Sequence, residues 1–172
     1  MSLFEEFGGA EFSECGQYRY KLARIWRPGD PLMAFVMLNP SFANEVFNDP
    51  TIERCQRRAQ DLGYGGLLVA NAFALISTDP SRLYYSEDPI GPDNDQAIME
   101  TVQRAALVVC GWGDHGNYMD RGRQVLSAIL SAGAVPHCLK QNQDGQPTHP
   151  LYLSYKLPPV PVRLDLLMSA ET

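Results

Sequence analysis

Three short polar signatures contain side chains suited to recognising a planar polar ligand. They are Asn39-Pro40-Ser41, Asn71 within LVANAFAL, and His149-Pro150-Leu151-Tyr152, and each lies at or just beyond an apolar run. An asparagine amide presents a hydrogen-bond donor beside an acceptor, and an imidazole can donate or accept near neutral pH. These residue types predict a binding site that is built from directed hydrogen bonds.

The apolar runs beside these signatures predict buried strands. Leu32–Leu38, Leu67–Leu75 and Ala106–Cys110 are almost continuously apolar, which is typical of strands covered on both faces by helices. In parallel sheets of this kind, ligands bind in the crevice beyond the carboxyl ends of the strands. The polar residues that follow the strands are therefore expected to face one shared crevice.

Helical signals separate the strands. Asp49-Pro50 is typical of an N-cap followed by proline at the first helical position, and Asp93 can cap a second helix. A third helix is predicted to end at Gly133, before a short strand at residues 134–139. This alternation predicts an α/β fold, namely a three-layer αβα sandwich with a central, mainly parallel four-stranded sheet. The period-two pattern of Tyr18–Trp26 adds an N-terminal edge strand or hairpin.

Length and composition narrow the classes of protein. With 172 residues, we expect one domain over residues 1–172, with a core at about 18–155 and a tail at 156–172. No apolar run is long enough to span a bilayer, and the start lacks the features of a secretory signal, so we expect a cytoplasmic protein. The four cysteines form no C-x-x-C pair, and we predict free thiols with neither metal nor cofactor.

A glycine-bounded segment supplies further candidates after the third strand. In Gly111-Trp112-Gly113-Asp114-His115-Gly116, the glycines would let the backbone approach a ligand, and Asp114 with His115 suggests an acid/base or metal pair. A surface turn explains the same pair nearly as well. Likewise, Asn39-Pro40-Ser41 is open to explanation as a turn alone, and His149 as an anchor of the final loop.

The order of motifs resembles known families. The succession MLNPS, NDPTIERC, GYGGLLVANAFA, DPIGPDN, VVCGWGDHG and GQPTHPLYL resembles the bacterial domain-of-unknown-function family 1643, over roughly residues 18–155. More remotely, the same order is similar to the uracil-DNA glycosylase superfamily. Members of that superfamily carry a water-positioning loop after the first strand, an asparagine on the second and a terminal His-Pro motif.

The second resemblance implies a role for each signature. Asn39 corresponds to the residue that orients water beneath the sugar C1′, Asn71 to the asparagine that binds a base edge, and His149 to the histidine that stabilises the departing base. Phe42 or Phe47 would be the aromatic platform for the base. The substrate-binding set that we predict around Asn39 and His149 comprises Asn71, Pro40, Ser41, Phe42, Phe47, Trp112, Asp114, His115 and Tyr152.

The leading hypothesis is therefore hydrolysis of an N-glycosidic bond in a nucleic acid or nucleoside. The alternative is a noncatalytic domain that binds a nucleobase, a nucleotide or a partner. A serine hydrolase that uses Ser41 with His149 is disfavoured, because the G-x-S-x-G pattern is absent. The expected ligand is a nucleobase-containing small molecule or single-stranded nucleic acid.

The net charge of −6 opposes nonspecific binding to duplex phosphates, so a nucleic-acid role requires a local basic patch. The candidates for such a patch at the pocket mouth are Arg19, Lys21, Arg54, Arg121, Arg123 and Lys140.

Overall fold

The computed structural model describes residues 2–168, with Met168 described by its backbone alone, and its strands join one mixed sheet flanked by helices. The strands are β1 (Gly8–Phe12), β2 (Arg19–Ile25), β3 (Leu32–Met37), β4 (Gly66–Asn71), β5 (Leu107–Gly111), β6 (Pro136–Cys138) and β7 (Val160–Pro161). The helices are α1 (Leu3–Phe7), α2 (Pro50–Asp61), α3 (Asn94–Arg104), α4 (Arg121–Ser131) and α5 (Leu164–Met168). Short 3₁₀ turns form at Pro80–Tyr84, Asp114–Asp120 and Pro150–Tyr152.

The strand order is β1-β2-β4-β3-β5-β6-β7, and the four central strands run parallel. The predicted core strands therefore form the centre of the sheet, and the predicted N-terminal hairpin is β1 with β2. The expected four-stranded sheet is corrected to seven strands among the described residues, because β1 and β2 extend one edge and β7 the other, all antiparallel. Periodicity could not predict β7, since it has only two residues, one of which is proline.

Helices cover both faces of the sheet. On one face, α2 packs Ile52, Cys55 and Ala59 against the apolar side chains of β3 and β4. On the other face, Ile98 of α3 and Ile129 of α4 pack against the opposite side chains of the same strands. This arrangement is the predicted three-layer sandwich, and it follows from strands that are apolar on both faces.

Local signals set the helix that borders the site. Asp49 Oδ1 accepts a hydrogen bond from the Ile52 N–H at 2.9 Å, and Pro50 fills the first position of α2, where its missing N–H costs nothing. The helix stops before Gly63, whose φ of +84° favours glycine. The predicted N-cap is thus confirmed for α2.

The remaining global expectations concern thiols and membranes. Cys55, Cys110 and Cys138 are buried free thiols as predicted, and Cys15 is exposed. Burial raises the pKa of the Cys55 and Cys110 thiols, so both stay protonated near neutral pH. Within residues 2–168, no helix has the length and apolar character needed to cross a membrane. Residues 169–172 of the predicted tail lie outside the described residues.

Candidate functional site

A cleft of about 640 Å³ opens at the carboxyl ends of β3 and β5. The chain passes from β3 to β4 on one side and then crosses to β5 on the other, which makes this edge the topological switch point of the sheet. The lining residues are Leu38, Asn39, Ser41 and Phe42 after β3; Asp49, Pro50 and Thr51 at the start of α2; Ser77, Thr78 and Pro80 after β4; Trp112, Gly113, Asp114 and His115 after β5; and Asn142, Thr148, His149, Leu151, Tyr152 and Leu153.

A larger surface hollow of about 1050 Å³ lies at the opposite edge of the sheet, where Leu32 begins β3 and Ala106 precedes β5. It contains none of the predicted site residues. The smaller cleft brings together Asn39 and His149, which are separated by more than half of the chain, and we therefore take it as the candidate site.

Asn39 is held in one orientation by the backbone around it. Its Nδ2 donates to the carbonyl oxygens of Pro40 at 3.1 Å, Leu75 at 3.3 Å and Ser77 at 2.9 Å. Because these carbonyls can only accept, the amide nitrogen must face them, and Oδ1 is the atom left to accept a hydrogen bond from a ligand or water. Pro40 itself is buried outside the lining, and its carbonyl fixes the neighbouring amide.

His149 is a neutral hydrogen-bond donor in this site. Its Nδ1 accepts from the Leu151 N–H at 3.3 Å, which places the ring proton on Nε2. Burial lowers the pKa of His149, and the nearby charge of Asp49 opposes this shift only in part. Pro150 packs so closely on Gly111 that a Cβ there would lie 3.0 Å from the proline Cδ. Gly111, the last residue of β5, thus allows the His-Pro loop to approach the sheet.

Two charged residues beside the first loop were not predicted in these places. Asp49 lines the cleft and is buried, although its sequence pattern was fully explained by the helix cap. Arg19, predicted at the pocket mouth, is instead buried behind the loop, where its Nη1 donates to the Ala43 carbonyl at 3.0 Å. Burial lowers the pKa of Arg19 to about 10, so it remains a cation at neutral pH. It thereby anchors the loop that carries Asn39.

The opposite wall places Asp114 and His115 in separate hydrogen-bond networks. Asp114 Oδ1 accepts from Asn142 Nδ2 at 2.6 Å, whereas Nδ1 of His115 lies 2.8 Å from the Tyr84 hydroxyl. Each side chain thus has its own hydrogen-bond partner, and these contacts do not link Asp114 to His115. Across residues 2–168, no group of three His, Cys, Asp or Glu side chains is placed to hold a metal ion.

Aromatic side chains occupy three different environments. Trp112 lines the cleft but is almost fully buried, and its Nε1 donates to Gln146 Oε1 at 2.6 Å. Phe42 and Tyr152 line the cleft and are exposed, at 60% and 92%. Phe47 is also exposed but lies outside the lining. The structure thus brings Phe42, Trp112 and Tyr152 to the cleft and does not bring Phe47.

Asn71 does not line the cleft. It is 2% exposed at the carboxyl end of β4, and its Nδ2 has no hydrogen-bond partner. Its backbone carbonyl accepts from Asn94 Nδ2 at 2.8 Å. The predicted contact between Asn71 and a base therefore gains no support from this geometry.

The lining of the cleft contains no lysine or arginine, whereas Asp49 and Asp114 contribute carboxylates. None of the six cations expected at the pocket mouth lines the cleft. Lys21 pairs with Glu11 and Glu100, and the buried Arg121 pairs with Asp95. A ligand group inside the cleft is consequently expected to be neutral or cationic, because no lysine or arginine lines it to offset an anion.

The fold and the cleft define an α/β protein with a candidate ligand-binding cleft at the switch point of a mixed sheet. A family model described as "Protein of unknown function (DUF1643)" matches residues 19–151, and the chain belongs to that family. This finding confirms the predicted membership. No match was found among curated proteins or among solved structures. The more remote resemblance to uracil-DNA glycosylases is not shown by these comparisons.

Proposed function

We propose that the protein hydrolyses the N-glycosidic bond of a nucleoside unit that lies in the cleft. The observation that carries this proposal is the fixed and opposite hydrogen-bond polarity of two residues in one cleft. Asn39 presents an acceptor, because its nitrogen is engaged by backbone carbonyls. His149 presents a donor, because its Nδ1 is engaged by a backbone N–H. Cleavage by water needs one group of each kind.

In the proposed reaction, Asn39 Oδ1 accepts a hydrogen bond from a water molecule and directs the water oxygen at C1′. The C1′–N bond breaks as the C1′–O bond forms, so the bonding electrons leave with the base. Asp49 supplies a carboxylate to the same cleft, suited to stabilise positive charge on the sugar and to take the proton that the water loses. That proton finally reaches the base, which completes the addition of water across the bond.

The departing base would be stabilised by His149. Its Nε2–H donates to a base oxygen that gains negative charge only as the bond breaks, so the interaction is stronger in the transition state than in the bound substrate. A neutral imidazole suits this role because it remains a donor without requiring acid. The depressed pKa of His149 keeps it neutral under ordinary conditions.

The character of the cleft limits which part of a substrate it would hold. Its lining combines apolar and aromatic side chains with amides, hydroxyls, two histidines and two carboxylates, and it includes no lysine or arginine. This favours the base and sugar as the groups inside, with any phosphate outside. Ser41 also lines the cleft, but without the strand–turn–helix nucleophile motif it is proposed as a binding residue only.

The test is base release from uracil-, hypoxanthine- and xanthine-containing nucleosides and single-stranded oligonucleotides, followed by chromatography of the free base. We expect Asn39→Ala to lower release by about 100-fold or more while leaving substrate affinity within about threefold, since water positioning matters mainly in the transition state. Asn48→Ala is the matched control. It removes an asparagine from the same loop but outside the lining, and it should retain release.

Two results would count against catalysis. If the wild-type protein binds these compounds but releases no base, the noncatalytic nucleobase-binding alternative replaces the hydrolase. If it binds none of them, both hypotheses fail and the cleft serves a ligand of another class.

A further inference from the structure

Three arginines of α2 surround one tyrosine ring close to the cleft. The guanidinium carbons of Arg54, Arg57 and Arg58 lie 4.3, 4.2 and 5.0 Å from the centroid of the Tyr155 ring. The spacing of these arginines along the helix places them on one face. We call Arg54, Arg57, Arg58 and Tyr155 the arginine cluster.

The positive charge of the arginine cluster is poorly compensated. Of the three arginines in the cluster, only Arg57 has a carboxylate of residues 2–168 in ion-pair range. Its Nε lies 3.8 Å from Asp61 Oδ2. Arg54 and Arg58 instead donate to the Leu153 carbonyl, and Arg58 also donates to that of Ser154. Stacking on one ring attracts each cation, but the cations repel one another. An anion would relieve this repulsion.

Unused hydrogen-bond donors point in the same direction. The Nε atoms of Arg54 and Arg58 are buried and have no hydrogen-bond partner. Arg58 as a whole is only 4% exposed. Burial, and to a smaller extent the charge of Arg54, lower the pKa of Arg58. Buried donors without partners are uncommon in native proteins, and here they accompany a local excess of like charge. Both features are typical of a site that an anion completes.

The arginine cluster adjoins the cleft through two segments. Leu153, whose carbonyl Arg54 and Arg58 hold, also lines the cleft. Thr51 lines the cleft at the start of α2, and a rise of about 1.5 Å per residue places Arg54 and Arg58 about 5 and 11 Å further along the axis. A group attached to a ligand in the cleft could therefore reach the cluster within the length of a nucleotide or two.

We propose that the arginine cluster binds phosphate esters attached to the nucleoside unit in the cleft. Guanidinium groups match phosphate oxygens with paired hydrogen bonds, and the cleft itself offers no cation for that purpose. The proposal rests on the proposed function for the occupant of the cleft, and it names the substrate as a phosphate-bearing nucleotide or strand. The cleft then holds the neutral base and sugar of the substrate, and the arginine cluster holds its charged phosphate.

The experiment measures binding of a fluorescein-labelled single-stranded oligothymidylate by anisotropy as salt is raised. Three phosphate contacts at roughly 0.7 each predict a slope of about −2 for log affinity against log salt. Arg57→Gln should reduce the magnitude of that slope by about 0.7 and weaken binding several-fold. Arg57 is the appropriate variant because its side chain is 63% exposed, so folding does not depend on it.

Matched variants make the test specific to the cluster. Arg163→Gln removes the same charge from an exposed site that pairs with Asp165, and it should leave the slope unchanged. Asp61→Asn removes the carboxylate that lies 3.8 Å from Arg57 Nε and should tighten binding several-fold. Equal slopes for Arg57→Gln and Arg163→Gln, or binding that does not change with salt, would overturn the proposal.

Competition distinguishes the source of the phosphate. Displacement of the oligonucleotide by thymidine 5′-phosphate but not by thymidine supports recognition of a single phosphate, whereas displacement only by an unlabelled strand supports the phosphodiester backbone. Equal displacement by thymidine and its phosphate contradicts the proposal. Salt-dependent binding without base release would refute the proposed hydrolysis and leave the cluster intact. Base release from neutral nucleosides, together with no effect of Arg57→Gln on the salt dependence of strand binding, would support the proposed hydrolysis and refute the arginine cluster as a phosphate site.

Discussion

The carboxyl ends of β3 and β4 lie side by side, since Met37 pairs with Asn71, but their surroundings differ. Beyond β3 the chain borders an open cleft, and Asn39 is half-buried with one amide atom available. Directly beyond β4, residues 72–75 are buried by the surrounding protein. Asn94 Nδ2 donates to the carbonyls of Asn71 and Ala72, at 2.8 and 3.2 Å.

A buried arginine completes this cover. Arg121 is 3% exposed, and its Nε donates to the Ala72 carbonyl at 2.7 Å. Helices α3 and α4 thus supply donors that would otherwise have to come from a ligand or water. The comparison teaches that asparagines near the carboxyl ends of neighbouring strands, Asn39 beyond β3 and Asn71 at the end of β4, differ in availability because of the loops and helices above them. The strands alone do not decide which one meets a ligand.

The largest effect on stability is expected when the cover over β4 is broken. Arg121→Ala should lower the free energy of unfolding by about 3 kcal/mol, because the Ala72 carbonyl loses a charged donor and the buried side chain leaves a cavity. Urea unfolding measures this change. Asp95→Asn serves as the control, since the Asp95 side chain is 77% exposed and its loss should cost less than about 1 kcal/mol. Equal losses in both variants would mean that the ion pair, and not the cover, stabilises this edge.

A smaller effect separates the two buried asparagines. Asn71→Leu should raise the free energy of unfolding by about 1 kcal/mol, because it removes a buried amide nitrogen that has no partner. Asn94→Leu is the matched contrast, and it should lower stability by about 2 kcal/mol, since two carbonyls lose their donor. Loss of nucleoside binding in Asn71→Leu, with the fold intact, would restore the base-binding role that the closed geometry does not support.

The smallest expected effect on stability comes from protonation of His149 in the cleft. Burial lowers the pKa of His149 in the folded protein, so below the ordinary value of 6.5 the unfolded chain binds more protons than the folded one. Stability should therefore fall as the pH drops through this range and be regained above it. Unfolding of the wild type and of His149→Gln at about pH 5.5 and about pH 7.5 measures the difference. An identical pH dependence would show that His149 is not buried in the neutral state.

Much of the architecture was predictable because it depends on local chemistry. The apolar runs at Leu32–Leu38 and Ala106–Cys110 predicted buried parallel strands, and Asp49-Pro50 predicted the start of α2. The position of Asn39 after the first strand placed it at the carboxyl edge of the sheet. His149 lines the same cleft.

The remaining features depend on contacts between distant segments. The sequence alone determines which strands are buried, where α2 begins and to which family the chain belongs, because these features follow from patterns of neighbouring residues. Only the tertiary structure decided that Arg19 lies behind the first loop, that Asn71 is buried and that three arginines stack around the ring of Tyr155. Burial and hydrogen-bond satisfaction arise when elements pack together, and no local pattern specifies which side chain then remains open to a ligand.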